Sequence, residues 1–151
     1  METTISWSGP TDDQAGSNMA FVARTGSGHT VAMDGAPASG GGSLGGRNLA
    51  PRPMELVLAG TGGCTAYDVV LILRRGRHDV TQCDVTLKAE RAESDPRVFT
   101  RIHFHFVVGG RGLKNEVVER AIRLSHEKFC SASVMLGKTA ALTHSFEIRE
   151  A

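Results

Sequence analysis

Two cysteines, Cys64 and Cys130, sit where a thiol could do chemistry. A thiolate is both a nucleophile and a metal ligand, and its surroundings set how readily the proton leaves. Cys64 lies in Gly60-Thr61-Gly62-Gly63-Cys64-Thr65-Ala66-Tyr67-Asp68. Glycines inside a helix each cost about 0.8–1.0 kcal/mol relative to alanine, so something must offset them. One reading is close backbone packing against a partner helix. Another is a break near Gly63 that starts a new helical segment and places Cys64 at its positive end, where the dipole favours a thiolate. The bland alternative is a buried, inert thiol that packs as a small hydrophobe. Cys130 ends the run His126-Glu127-Lys128-Phe129-Cys130-Ser131. On a helix, His126 would share its face, and an imidazolium there would favour the thiolate; a packed thiol beside a surface histidine is the alternative.

The remaining candidates are weaker. Cys83 falls on the apolar face of a strand pattern and reads as inert. His103 and His105 share a strand face and could ligate a metal, but no third ligand stands at matching spacing, so hydrogen-bonded histidines are expected and no metal or cofactor is assigned. The sequence has no C-x-x-C, no G-x-S-x-G, no phosphate loop and no dinucleotide fingerprint. Three cysteines are an odd number, which argues against a disulfide framework and for a reducing, cytoplasmic setting.

Composition narrows the class. The 151 residues suit one self-sufficient domain, 1–151. Lys plus Arg number 17 against 16 Asp plus Glu. That near-balance leaves no basic footprint for nucleic acid and no charged tail. The N-terminus lacks a basic and apolar leader pattern. The most apolar stretch, Leu56 to Leu73, carries Asp68 and three glycines, which disfavours a membrane span.

The elements that must position the thiols follow from periodicity. Residues 3–8 read as a strand and 9–18 as a polar loop. Ala20–Arg24 and His29–Met33 flank Thr25-Gly26-Ser27-Gly28 as a hairpin. Residues 34–50 read as a flexible glycine-rich loop. Pro51-Arg52-Pro53 opens a helix that runs to about Arg75 and stops at Gly76. This helix is apolar nearly all round, so a second subunit is expected to cover part of it. Val80–Arg91 and Val98–Val108 alternate as an antiparallel pair. Lys114–Cys130 reads as one amphipathic helix, Ser131–Gly137 as the start of another, and Ala141–Ile148 as a last strand. The plan is α+β.

Pro53-Met54-Glu55-Leu56-Val57 through Gly63-Cys64, with Cys130 following 66 residues later in Phe129-Cys130-Ser131-Ala132-Ser133, resembles the OsmC/Ohr superfamily (osmotically inducible protein C and organic hydroperoxide resistance). Tyr67-Asp68-Val69-Val70 and Ser125-His126-Glu127-Lys128-Phe129-Cys130-Ser131 look closest to its YhfA-like branch. The resemblance covers about residues 20–148. It implies an OsmC-like fold of curved antiparallel sheets around long central helices, in an intertwined homodimer. It also implies a peroxiredoxin-like peroxidase: Cys64 attacks an organic hydroperoxide and becomes a sulfenic acid, Cys130 condenses with it, and a lipoyl- or thioredoxin-type dithiol resets the disulfide. In the family pattern a Glu directly after the proline, with an Arg from the N-terminal hairpin region, activates the first cysteine. Here Met54 follows Pro53 and the acid is Glu55, a shift of about 100° around a helix. Arg24 is the expected Arg, with Arg47 and Arg52 as alternatives. The displaced acid motivates a second expectation, a redox-sensing or small-ligand-binding protein on the same dimeric fold.

Overall fold

A computed structural model describes residues 1–9, 19–38 and 45–151. The polar-loop reading for 10–18 and the central part of the glycine-rich reading, 39–44, lie outside the described residues. The chain divides into two compact units, Met1–Val57 and Leu58–Ala151.

The first unit is a three-stranded antiparallel sheet of β1 (Thr3–Trp7), β2 (Phe21–Thr25) and β3 (Thr30–Met33), in that spatial order. The expected hairpin joins β2 to β3. Gly28 takes φ +86° in its turn, a conformation that L side chains rarely adopt, while its N–H donates to the Thr25 carbonyl at 2.9 Å. After β3, the Asp34 carboxylate is buried and accepts three backbone N–H groups, from Gly35 at 2.7 Å, Leu49 at 2.9 Å and Arg47 at 3.0 Å. The bond from Leu49 is the largest cause holding Asp34 below its ordinary pKa, against the opposing effect of burial.

Helix α1 runs unbroken from Pro53 to Arg75. Glu55 starts it: its carboxylate accepts the Arg52 N–H at 2.9 Å, half of a capping box. Beyond Val57, Thr61, Thr65, Val69 and Leu73 recur every fourth residue and form the buried face. Gly62 lies on that face because the strand that carries Leu87 approaches closely; a Cβ there would stand 2.7 Å from Leu87 Cδ1. Close packing therefore explains Gly62, and the expected break near Gly63 does not occur. A Cβ at Gly60 or Gly63 would meet nothing within 4 Å among the described residues, and Tyr67 is 69% exposed. Within the chain α1 is covered on one face, not all round. It is long and apolar enough to cross a membrane by length and composition. Its buried face and the tertiary hydrogen bond to Asp68 described below make it a core helix.

The second unit holds β4 (Asp79–Arg91), β5 (Phe99–Arg111) and β6 (Ala141–Glu150), in the order β4-β5-β6. The predicted alternation is seen: Ile102, Phe104, Phe106 and Val108 are fully buried, while His103 and His105 face the other side. The expectation of antiparallel sheets holds for β4–β5 but not for β5–β6, which pair in parallel. The reason is the connection. Between β5 and β6 lie α2 (Asn115–Leu124) and α3 (Ser131–Leu136), and a helical crossover returns the chain to the same end of the sheet.

The single helix expected over Lys114–Cys130 is also corrected. The regular helix ends at Leu124, and Ser125–Phe129 form one π turn, closed by the Cys130 N–H on the Ser125 carbonyl at 2.8 Å. Cys130 then turns extended (φ −77°, ψ 100°) and becomes the N-cap of α3.

Candidate active site

The thiols come together through three elements of the second unit. Cys64 and Asp68 stand one turn apart on α1, and Cys130 occupies the corner between the π turn and α3. The Cys64 and Cys130 sulfurs and an Asp68 carboxylate oxygen all lie within 4.8 Å of one another. Cys64 is half-buried, whereas Cys130 is fully buried. Access therefore differs: a molecule arriving from solvent meets Cys64 first.

Polar groups from α1 and α3 converge on Cys130. Its sulfur accepts the Ser133 N–H at 3.4 Å, the N-cap bond of α3, and the Thr65 hydroxyl lies 3.4 Å away. Thr65 also spans to the Ser133 hydroxyl at 3.3 Å and to its own helix at the Thr61 carbonyl, 2.9 Å. Burial alone would push the Cys130 thiol up. The bonds from Ser133, Thr65 and Cys64 outweigh it, and the net pKa lies below the ordinary thiol value. Cys64 goes the other way. Burial raises its pKa most, followed by its hydrogen bond to Cys130; the Ala132 N–H opposes these, while the charges of Cys130 and Asp68 add to the rise. Of the pair, Cys130 therefore gives up its proton more readily than Cys64. The dipole placement expected for Cys64 belongs to Cys130 instead, because α1 is continuous and α3 starts at Cys130.

His126 does not act as the expected imidazolium. The π turn removes the regular helical register to Cys130, and Nδ1 meets the Ser133 hydroxyl at 3.2 Å. Its ring packs edge-on to Phe104, with centroids 4.6 Å apart, and stacks on His144 at 5.5 Å. Nε2 is buried and has no hydrogen-bond partner among the described residues. Burial, aided by His144, lowers its pKa to about 4. The neutral ring reaches Cys130 through Ser133. His144 in turn contacts Glu119 at 3.1 Å.

Asp68 was not singled out by sequence reasoning, and neither were Thr65, Ser125 or Ser133. The Ser125 hydroxyl donates to Asp68 Oδ2 at 3.1 Å and fixes the carboxylate beside the thiols. The available signal was the spacing of four between Cys64 and Asp68, which puts both on one helix face.

The other expected site residues lie in the first unit. Arg24 is exposed on β2, across from Thr4 and Thr30. Glu55 is exposed, and its carboxylate serves the start of α1. Arg47 and Arg52 are exposed, and the structure gives each a backbone role: their N–H groups bind Asp34 and Glu55. Cys83 is half-buried, and burial, with Asp84 beside it, pushes its thiol up to about 11, which keeps it protonated and unreactive. His103 is hydrogen-bonded by both ring nitrogens, to Thr143 at 2.8 Å and Ser145 at 2.9 Å, and His105 also reaches Ser145 at 2.9 Å.

Known proteins share this architecture. A family model described as OsmC-like protein matches residues 45–145. Protein YhfA of Escherichia coli is 48% identical over 130 residues, covering 86% of this chain and 90% of that protein. The crystal structure of a hypothetical protein from Aquifex aeolicus is 27% identical, covers 99% of this chain and 96% of its own, and superimposes with a TM-score of 0.73. The organic hydroperoxide resistance protein OhrB of Bacillus subtilis shares the fold at 17% identity, with a TM-score of 0.59 and coverage of 97% and 98%. With a family match over most of its length and a relative nearly half identical to it, the chain belongs to the OsmC-like family.

Proposed function

We propose that this protein is a thiol-dependent peroxidase that reduces organic hydroperoxides with Cys64 and Cys130. The observation that carries the reading is the meeting of the pair: Cys64 is the reachable sulfur, and the buried Cys130 sulfur lies within 4.8 Å of it. In the cycle, the Cys64 sulfur attacks the distal peroxide oxygen as the O–O bond breaks, and the proton lost from Cys64 goes to the departing oxygen, which leaves as the alcohol. Cys64 is then a sulfenic acid. The Cys130 sulfur displaces its hydroxyl as water and forms the disulfide. The net change is two thiols plus one hydroperoxide to one disulfide, one alcohol and one water. A lipoyl- or thioredoxin-type dithiol restores the thiols by exchange. The name of the Bacillus structure, an organic hydroperoxide resistance protein, supports the substrate class.

On the family resemblance, Arg24 and Glu55 assist Cys64, the protein works in the cytoplasm, and two copies of the chain associate. The open apolar flank of α1, with Ala66, Tyr67, Val70 and Leu71, supports the association. A second reading, a redox sensor or binder of a small apolar ligand, is favoured by the raised Cys64 pKa and by the engagement of Glu55 at the helix start.

Hydroperoxide titration of the reduced protein, with thiol counting and disulfide mapping, tests both. Loss of two thiols per chain at low peroxide equivalents, a Cys64–Cys130 disulfide and turnover with a dithiol are expected. Cys64→Ser should abolish all three. Unreacted thiols, or slow overoxidation of Cys64 alone, would replace the peroxidase with the sensor or binder.

A further inference from the structure

We propose that the reduced Cys64–Asp68–Cys130 cluster is also a binding site for a soft divalent cation of the zinc type, held by two sulfurs and one carboxylate oxygen. This goes beyond peroxide reduction and requires only that the thiols be reduced.

The donor atoms lie within 4.8 Å of one another. Tetrahedral zinc, with Zn–S of about 2.3 Å and Zn–O of about 2.0–2.2 Å, sets its donors roughly 3.5–3.8 Å apart. The cluster therefore needs to contract by little more than about 1 Å, within reach of side-chain rotation. The donors are anchored independently of any ion. Cys64 and Asp68 share one face of an unbroken helix, and Cys130 caps the next. The Ser125 hydroxyl on Oδ2 leaves the other Asp68 oxygen available, Ser133 and Thr65 orient Cys130, and the Ala132 N–H points at Cys64. Such outer partners are what tune a metal site.

A carboxylate and two sulfurs crowded together give a cation a purpose here. A divalent ion binds the sulfurs as thiolates and offsets their charge. From the protonated pair, binding forms two metal–sulfur bonds and one metal–oxygen bond, releases two protons and moves no electrons. Two thiolates select zinc or cadmium over magnesium or calcium. Three protein donors leave the fourth position to water on the side from which Cys64 is reached. Oxidation to the disulfide removes both sulfur donors, so metal binding and thiol oxidation exclude each other.

The test is cobalt(II) titration of the reduced full-length protein without oxygen, followed by zinc competition. Sulfur-to-cobalt charge transfer and tetrahedral d–d bands saturating at one ion per chain are expected, with zinc displacing the cobalt. Cys64→Ser and Cys130→Ser should each abolish the charge-transfer signal. Asp68→Asn, which keeps an acceptor for Ser125, should weaken binding by more than about tenfold, and Cys83→Ser should leave it unchanged. Absence of charge transfer at one equivalent overturns the proposal, as does affinity unaffected by Asp68→Asn or lost with Cys83→Ser. Hydroperoxide titration of metal-free protein reads the peroxidase separately, so either idea can fail alone.

Discussion

At the scale of single residues, the thiol pair divides its labour by burial and hydrogen bonding. Cys130 is fully buried yet its pKa is lowered, because Ser133, Thr65 and Cys64 direct donors at its sulfur. Cys64 is reachable, and its neighbours raise its pKa. Removing the Cys130 sulfur should therefore make Cys64 more acidic, since its hydrogen bond to Cys130 and the repulsion from Cys130 both disappear. In Cys130→Ser, the pH profile of Cys64 alkylation by iodoacetamide should move to lower pH than in the wild type. A shift to higher pH would mean that Cys130 activates its neighbour in the resting state. Much of this was unreadable in the sequence. The two cysteines stand out by setting, but which one has the lower pKa depends on Ser133 and Thr65, small hydroxyl residues that look ordinary in a string of letters.

At the scale of elements, the alternation of β4 and β5 and the glycine and proline punctuation of α1 were legible, since each follows from a local period or stop signal. Two features were not. The π turn at Ser125–Phe129 has the same apolar pattern as a regular helix until its ladder is seen. The parallel partner of β5 depends on where a crossover of two helices delivers β6. The glycines of α1 also separate by element. Gly62 is required by Leu87, whereas Gly60 and Gly63 meet open space among the described residues. Gly63→Ala alone should stabilise an isolated helix by about 0.8–1.0 kcal/mol. If a second copy packs on this flank, the added methyl groups intrude there. Gly60→Ala/Gly63→Ala should then shift sedimentation from twice the 16.1 kDa chain mass toward the monomer. Unchanged dimer with a raised melting temperature would place the contact elsewhere.

At the scale of the whole molecule, the buried His126 makes folding sensitive to acid. Its folded pKa of about 4 lies below the ordinary histidine value of 6.5. Above pH 6.5 both folded and unfolded states hold it neutral, and the full stability is present. Between 6.5 and 4 the unfolded chain takes a proton that the folded state refuses, so stability falls by at most about 1.4 kcal/mol per pH unit. Below 4 this contribution levels off. Asp34, held below the ordinary aspartate value of 3.8, adds its own loss only at lower pH. Urea midpoints measured from pH 7 to 4 should decline in the wild type and decline less in His126→Gln. Parallel declines would move the acid sensitivity to other groups.

The Asp34 carboxylate has a practical consequence. It grips Gly35 on one side of the glycine-rich stretch and Arg47 and Leu49 on the other, and it holds all three by their backbone N–H groups. Such a clasp is indifferent to the side chains between its jaws. Lengthening a loop costs little, roughly 0.6 kcal/mol for each doubling. Positions 39–44 are therefore a natural place to splice in an epitope or a reporter peptide, with the thiol chemistry of the second unit left as its readout.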